Sequence, residues 1–117
     1  MTAIAMTPTA QPTANQVEFE KHPALVKVLD LISGILDNHR DGGNYVAEWE
    51  DTQYTQGLSI YNPLAHHFSG VIMQDIMAAI TREDILHLGV YWIIETATVK
   101  GEYGEYQTPC ITFYQMK

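Results

Sequence analysis

Two segments with apolar residues at helical spacing alternate along this chain with two pairs of strand-like segments, and few architectures accommodate that order. In the first segment Leu25, Val28, Leu29, Ile32, Ile35 and Leu36 recur at i, i+3 and i+4. His22-Pro23 opens it, because proline suits the first helical position, where its missing N–H would have no partner. Val26 and Leu31 widen the apolar arc, so this helix is expected to be deeply buried or to touch two surfaces. Asp37 to Gly43 ends it, and Gly42-Gly43 suit a left-handed exit.

A hairpin is expected next. Tyr45, Ala47 and Trp49 point one way, and Val46, Glu48 and Glu50 the other, which is the alternation of a half-buried strand. Asp51 to Gln56 make the turn region, and Gly57 to Tyr61 return with Leu58 and Ile60 inward. Asn62-Pro63 reads as cap and first-turn proline of a second helix, with Leu64, Phe68, Val71, Ile72, Ile76, Met77 and Ile80 along one side. Thr81 followed by Glu83 and Asp84 looks like a fresh cap, and Gly89 closes the short piece after it. Val90 to Val99 is rich in β-branched and aromatic residues, Lys100 to Gly104 turn, and Tyr106 to Gln115 return. Pro109 places that last strand at an edge.

The expected class is therefore α+β, in helix–hairpin–helix–hairpin order, with a four-stranded, mostly antiparallel sheet and helices packed on one face. Residues 1–17, without a continuous apolar run and without Lys or Arg, read as a flexible tail rather than a secretory signal, and residues 18–117 as a single domain. No apolar run approaches the roughly 20 residues needed to span a bilayer. Cys110 is the only cysteine, so no intrachain disulfide forms and a reducing, cytoplasmic setting fits. Set in a strand with no His or Asn nearby in sequence, Cys110 reads as a buried, inert thiol.

Charge then restricts the partners. The net charge is -8, all 14 acidic side chains fall between Glu18 and Glu105, and Asp41 to Thr81 contain no Lys or Arg. Such a surface repels nucleic acid and anionic membranes and attracts basic proteins. The charged fraction of 17% is below the globular norm of about 25%, so part of the surface is neutral polar or covered by a partner.

No residue pattern specifies a catalytic or cofactor site. His66-His67 are adjacent and lack the i, i+4 spacing of helical zinc sites, so no metal is expected. His39 and His87 fall in the last turns of helical pieces, where a cation suits the helix dipole. Glu48 and Glu50 lie about 7 Å apart along one strand face, a spacing that could flank a glycosidic bond, but a solvated face raises no pKa. Gly42-Gly43 follow a helix and precede a strand, the wrong order for cradling phosphate. The hairpin aromatics lack the interleaved cations of single-strand nucleic-acid binders, whereas Tyr and Trp beside acids suit protein interfaces.

The expectation is a small acidic, non-enzymatic interaction protein without cofactor. It would act as an inhibitor or adaptor docking on a basic, nucleic-acid-binding partner, in the manner of phage- or plasmid-borne inhibitors of defence nucleases. Glu48, Trp49, Glu50, Asp51 and Tyr54 are the expected contact residues. Two alternatives stand beside it. One is a homodimeric scaffold that associates through helix one or an edge strand. The other is a small-molecule binder with a pocket between helix two and the sheet, lined by Phe68, Trp92, His66 or His67.

Overall fold

The computed structural model describes Phe19–Lys117, and the tail expected over 1–17 lies outside the described residues. The elements are α1 (Pro23–Asp37), β1 (Val46–Asp51), β2 (Thr55–Tyr61), α2 (Gly70–Arg82), β3 (Val90–Gly101) and β4 (Gly104–Met116). Short 3-10 turns at Gly42–Asn44 and Ile85–Leu88 precede β1 and β3. All strand pairings are antiparallel, and the sheet order is β1-β2-β4-β3. The α+β class read from the sequence is the one observed.

In α1 the apolar spacing does what the sequence predicts: Leu25, Val28, Ile32 and Leu36 are buried. The His22 ring caps the helix, its Nδ1 accepting from the Ala24 N–H at 3.1 Å. The arc is wider than what covers it, and Val26 stays exposed. The exit differs from the expected left-handed glycine. Asn38 closes α1 with φ -91° and ψ 2°, and neither Gly42 nor Gly43 has positive φ. Gly42 is needed for another reason: a Cβ there would lie 1.8 Å from the Leu36 carbonyl oxygen.

The second helix starts later than Asn62-Pro63. Its cap is Ser69, whose Oγ accepts from the Ile72 N–H at 3.3 Å. Asn62 instead turns the chain, its Oδ1 accepting from the Leu64 N–H at 2.9 Å, a local bond that competes with helix. Leu64, placed by its spacing on the apolar stripe, is 74% exposed. Tertiary bonds hold the segment out of a helix. The Thr108 hydroxyl donates to the Ala65 carbonyl at 2.8 Å, the Tyr106 hydroxyl donates to the Pro63 carbonyl, and the Ser69 N–H donates to the Tyr45 hydroxyl at 2.8 Å. Thr81 does not begin a new helix either: it lies inside α2 and donates to the Met77 carbonyl at 2.9 Å. The break comes at Asp84, in the left-handed region at φ 51°, and Gly89 at φ 83° closes the 3-10 turn as expected.

The register sorts the strand residues into two faces. Leu58 pairs with Trp49 and Phe113, and Ile60 pairs with Ala47 and Ile111. These form the apolar face, and Leu58, Ile60, Ile111 and Phe113 are fully buried in one cluster with residues of α1 and α2. The opposite, polar face carries Glu48, Ser59, Thr112 and Ile93 in one cross-sheet row. The Ser59 and Thr112 hydroxyls meet there at 2.8 Å.

Pro109 does not mark an edge strand, because β4 runs between β2 and β3. The reason is local. Tyr61, the last residue of β2, pairs with Cys110, so Pro109 is the first β4 residue beyond that pairing and its missing N–H interrupts no β2–β4 ladder. No helix among the described residues is long and apolar enough to cross a membrane.

Candidate functional site

The polar face of the sheet collects the carboxylates that the sequence spreads over separate segments. Glu48 and Glu50 alternate with Ala47 and Trp49 on β1, and Glu95 reaches the same face from the far edge, paired with Cys110. All three glutamates are exposed. They rim a groove of about 280 Å³ whose lining includes Ser59, Ala97 and Cys110. No strand position on this face is Lys or Arg: Lys100, the only strand cation, pairs with Glu105 on the other side.

The floor of the groove is neutral and tied down. Cys110 is buried, and burial pushes its thiol above the ordinary value, so the sulfur is held protonated rather than nucleophilic. Tyr61 is buried beside it. Burial first, then the Glu48 charge and its hydrogen bond, raise the Tyr61 hydroxyl well above a free phenol. A thiol and a phenol that both keep their protons, under carboxylates open to water, offer binding polarity but no activated acid–base pair.

The five residues expected to touch a partner divide between the two faces. Glu48 and Glu50 share the polar face, and Tyr54 stands 67% exposed in the β1–β2 turn. Trp49 lies on the apolar side, half-buried against the core, with the Phe19 ring edge-on at 6.4 Å and Lys21 Nζ 5.7 Å from its ring centre. Asp51 is also engaged: Lys117 Nζ lies 2.7 Å away and, with the Gln56 amide, holds its carboxyl below the usual range. Gln56 extends this corner by donating to the Glu20 carbonyl at 2.9 Å and accepting from the His22 N–H at 2.6 Å. Trp49 and Asp51 thus fasten the hairpin to the approach of α1.

The histidines do not gather. His39 falls two residues beyond the end of α1 rather than in its last turn, and its Nε2 lies 2.7 Å from Asp75 Oδ2 on α2. His66 packs against the Tyr106 ring at 4.6 Å, and His87 lies in the last turn of the 3-10 helix as expected. The residues expected to line a pocket under helix two meet separate neighbours. Phe68 packs edge-on against Tyr45 at 4.9 Å, His66 meets Tyr106, and Trp92 pairs with Phe113 at the sheet margin.

Two features escape the sequence reading. Glu95 joins the acidic face only because β3 and β4 pair in this register. Tyr91, Trp92, Ile93 and Ile94 of β3 are 45%, 43%, 49% and 47% exposed. The signal for the second was present, since a strand apolar on both faces without alternation needs cover on both. The chain matches no protein-family model, no curated protein and no solved structure.

Proposed function

We propose that the protein is a non-enzymatic docking module that presents the polar face of its sheet to a basic protein surface. In this reading both helices lie against the apolar face, and the other is open around Glu48, Glu50 and Glu95. The observation that carries it is the assembly of Glu48, Glu50 and Glu95 on one sheet face whose strand positions bear no cation. Carboxylates so placed raise the encounter rate with a basic partner and fix its orientation, more than they add raw affinity. Partners of the nucleic-acid-binding class present such surfaces, and an acidic sheet face covering one would act as an inhibitor or adaptor. Glu48, Glu50 and the exposed Tyr54 are the contacts from the first hairpin, and Trp49 and Asp51 hold that hairpin in place.

The test is affinity capture from nuclease-treated host lysate with the wild type and the double variant Glu48→Lys, Glu50→Lys. Both positions are exposed, so the variant keeps the fold, checked by circular dichroism. The wild type is expected to retain a basic protein at low salt, to release it at high salt, and to lose it in the variant. Equal capture by both proteins, or no salt-sensitive capture at all, overturns the reading.

A further inference from the structure

We infer that β3 is a self-association edge, pairing antiparallel with β3 of a second copy of this chain into one continuous eight-stranded sheet. Among the described residues β3 is the outermost strand, so one side of its backbone is unpaired by any of them, and from Tyr91 onward it is open, Val90 being buried. Proteins blunt such edges with Lys, Pro, bulges or very short strands. From Val90 to Val99 this edge has no Lys, Arg or Pro, and Glu95 is its only charge. Tyr91, Trp92, Ile93 and Ile94 are each close to half exposed, two on each face of the sheet.

The occupant follows from chemistry and area. The acidic face attracts cations, but this edge is nearly uncharged and matches an apolar partner strand. The four side chains together expose on the order of 400 Å², the size of the largest patch on a typical monomer and often a functional one. That is about half of the roughly 800 Å² that a standard interface covers on each partner, and the main-chain bonds of strand pairing add to it. The strand also complements itself. About a twofold axis through Ile93, Ile93 meets its own copy and Tyr91 faces Glu95 on the polar side. On the apolar side Trp92 faces Ile94, an aromatic–β-branched pair. No glutamate directly opposes a glutamate in this register. Because opposed residues keep their faces, the acidic faces of the two copies join into one surface.

Salt separates this inference from the docking reading. Two chains of net charge -8 repel, so screening strengthens the dimer, whereas it weakens capture of a basic partner. The experiment is sedimentation equilibrium of the wild type and Ile93→Lys at about 0.05 and about 0.5 M NaCl. The wild type is expected at twice the 13.2 kDa chain mass in the tens of micromolar, with a dissociation constant that holds or falls as salt rises. Ile93→Lys sets two ammonium groups face to face at the axis and should weaken association at least about 100-fold, with an unchanged circular dichroism spectrum. Should that variant fail to fold, hydrogen exchange of the wild type gives the answer. Outward amides of 91–96 should be protected at high protein concentration and exposed on dilution. A monomeric wild type, a variant that stays dimeric, or protection that ignores concentration overturns the proposal. An edge that accepts a strand only from a different protein appears as the first of these.

Discussion

Gly42 shows what one residue can demand without an unusual backbone angle. The chain leaves α1 and doubles back so closely that position 42 lies against the Leu36 carbonyl, where a methyl group has no space. Because the obstacle is backbone, a side-chain rotation cannot relieve it. Gly42→Ala should therefore cost more than about 2 kcal/mol, while Gly43→Ala, with open space around it, should cost little. Chemical denaturation of the two variants checks this, and equal midpoints would contradict it. The sequence shows two glycines after a helix, and the usual reason for glycine there is positive φ. Steric exclusion by a carbonyl six residues back leaves no mark in the sequence, so the right residues carry a different role.

A second residue-scale consequence concerns alkaline pH. Burial is the first cause that raises Tyr61, Tyr45 and Cys110 above their ordinary values. In the unfolded chain a thiol loses its proton near pH 8.5 and a phenol near pH 10, by typical values. The native state keeps these protons, so above that range it binds more protons than the unfolded state and stability falls as pH rises. The stabilisation is whole below about pH 8 and is lost upward through the raised native values. Melting temperatures are expected to be level from about pH 7 to 8 and to drop from about pH 9 upward. The drop should be shallower in Tyr61→Phe, which lacks the hydroxyl beside Glu48. A level profile into strong alkali, or the same slope in both proteins, would refute this.

At the scale of elements, legibility follows how local each signal is. The α1 stripe and the β1 alternation depend on neighbours a few residues apart, and both are observed as read. The start of α2 is not, because Asn62-Pro63 serves a turn as well as a cap and the decision rests with distant partners. Thr108 and Tyr106 of β4 bond the carbonyls of Ala65 and Pro63, and no window around residue 62 contains them. Pro109 is the mirror case. Its local meaning, a missing ladder bond, is correct, but β2 ends one residue short of it and so the strand stays internal. Of the candidate site, Glu48 and Glu50 were readable from alternation, whereas Glu95 required the register of a strand pair. The exposed state of the Tyr91, Trp92, Ile93 and Ile94 side chains required knowing that β3 lies outermost.

At the scale of the whole molecule, the sheet is two local hairpins joined by one distant seam. The β1–β2 turn closes between Asp51 and Gln56, and the β3–β4 turn between Gly101 and Gly104. The seam between β2 and β4 instead brings together Ser59 and Thr112, 53 positions apart. Ordering such a span costs chain entropy before any contact rewards it. Assembly in time should therefore run hairpins first and seam last, with β2 waiting unpaired on one side until β4 arrives. Pulse-labelled hydrogen exchange during refolding would show it: amides bonded within each hairpin gain protection before those bonded across β2–β4, and simultaneous protection would rule the order out. The position of β4 inside the sheet thus makes the last strand of the chain the one on which the timing of the whole fold depends.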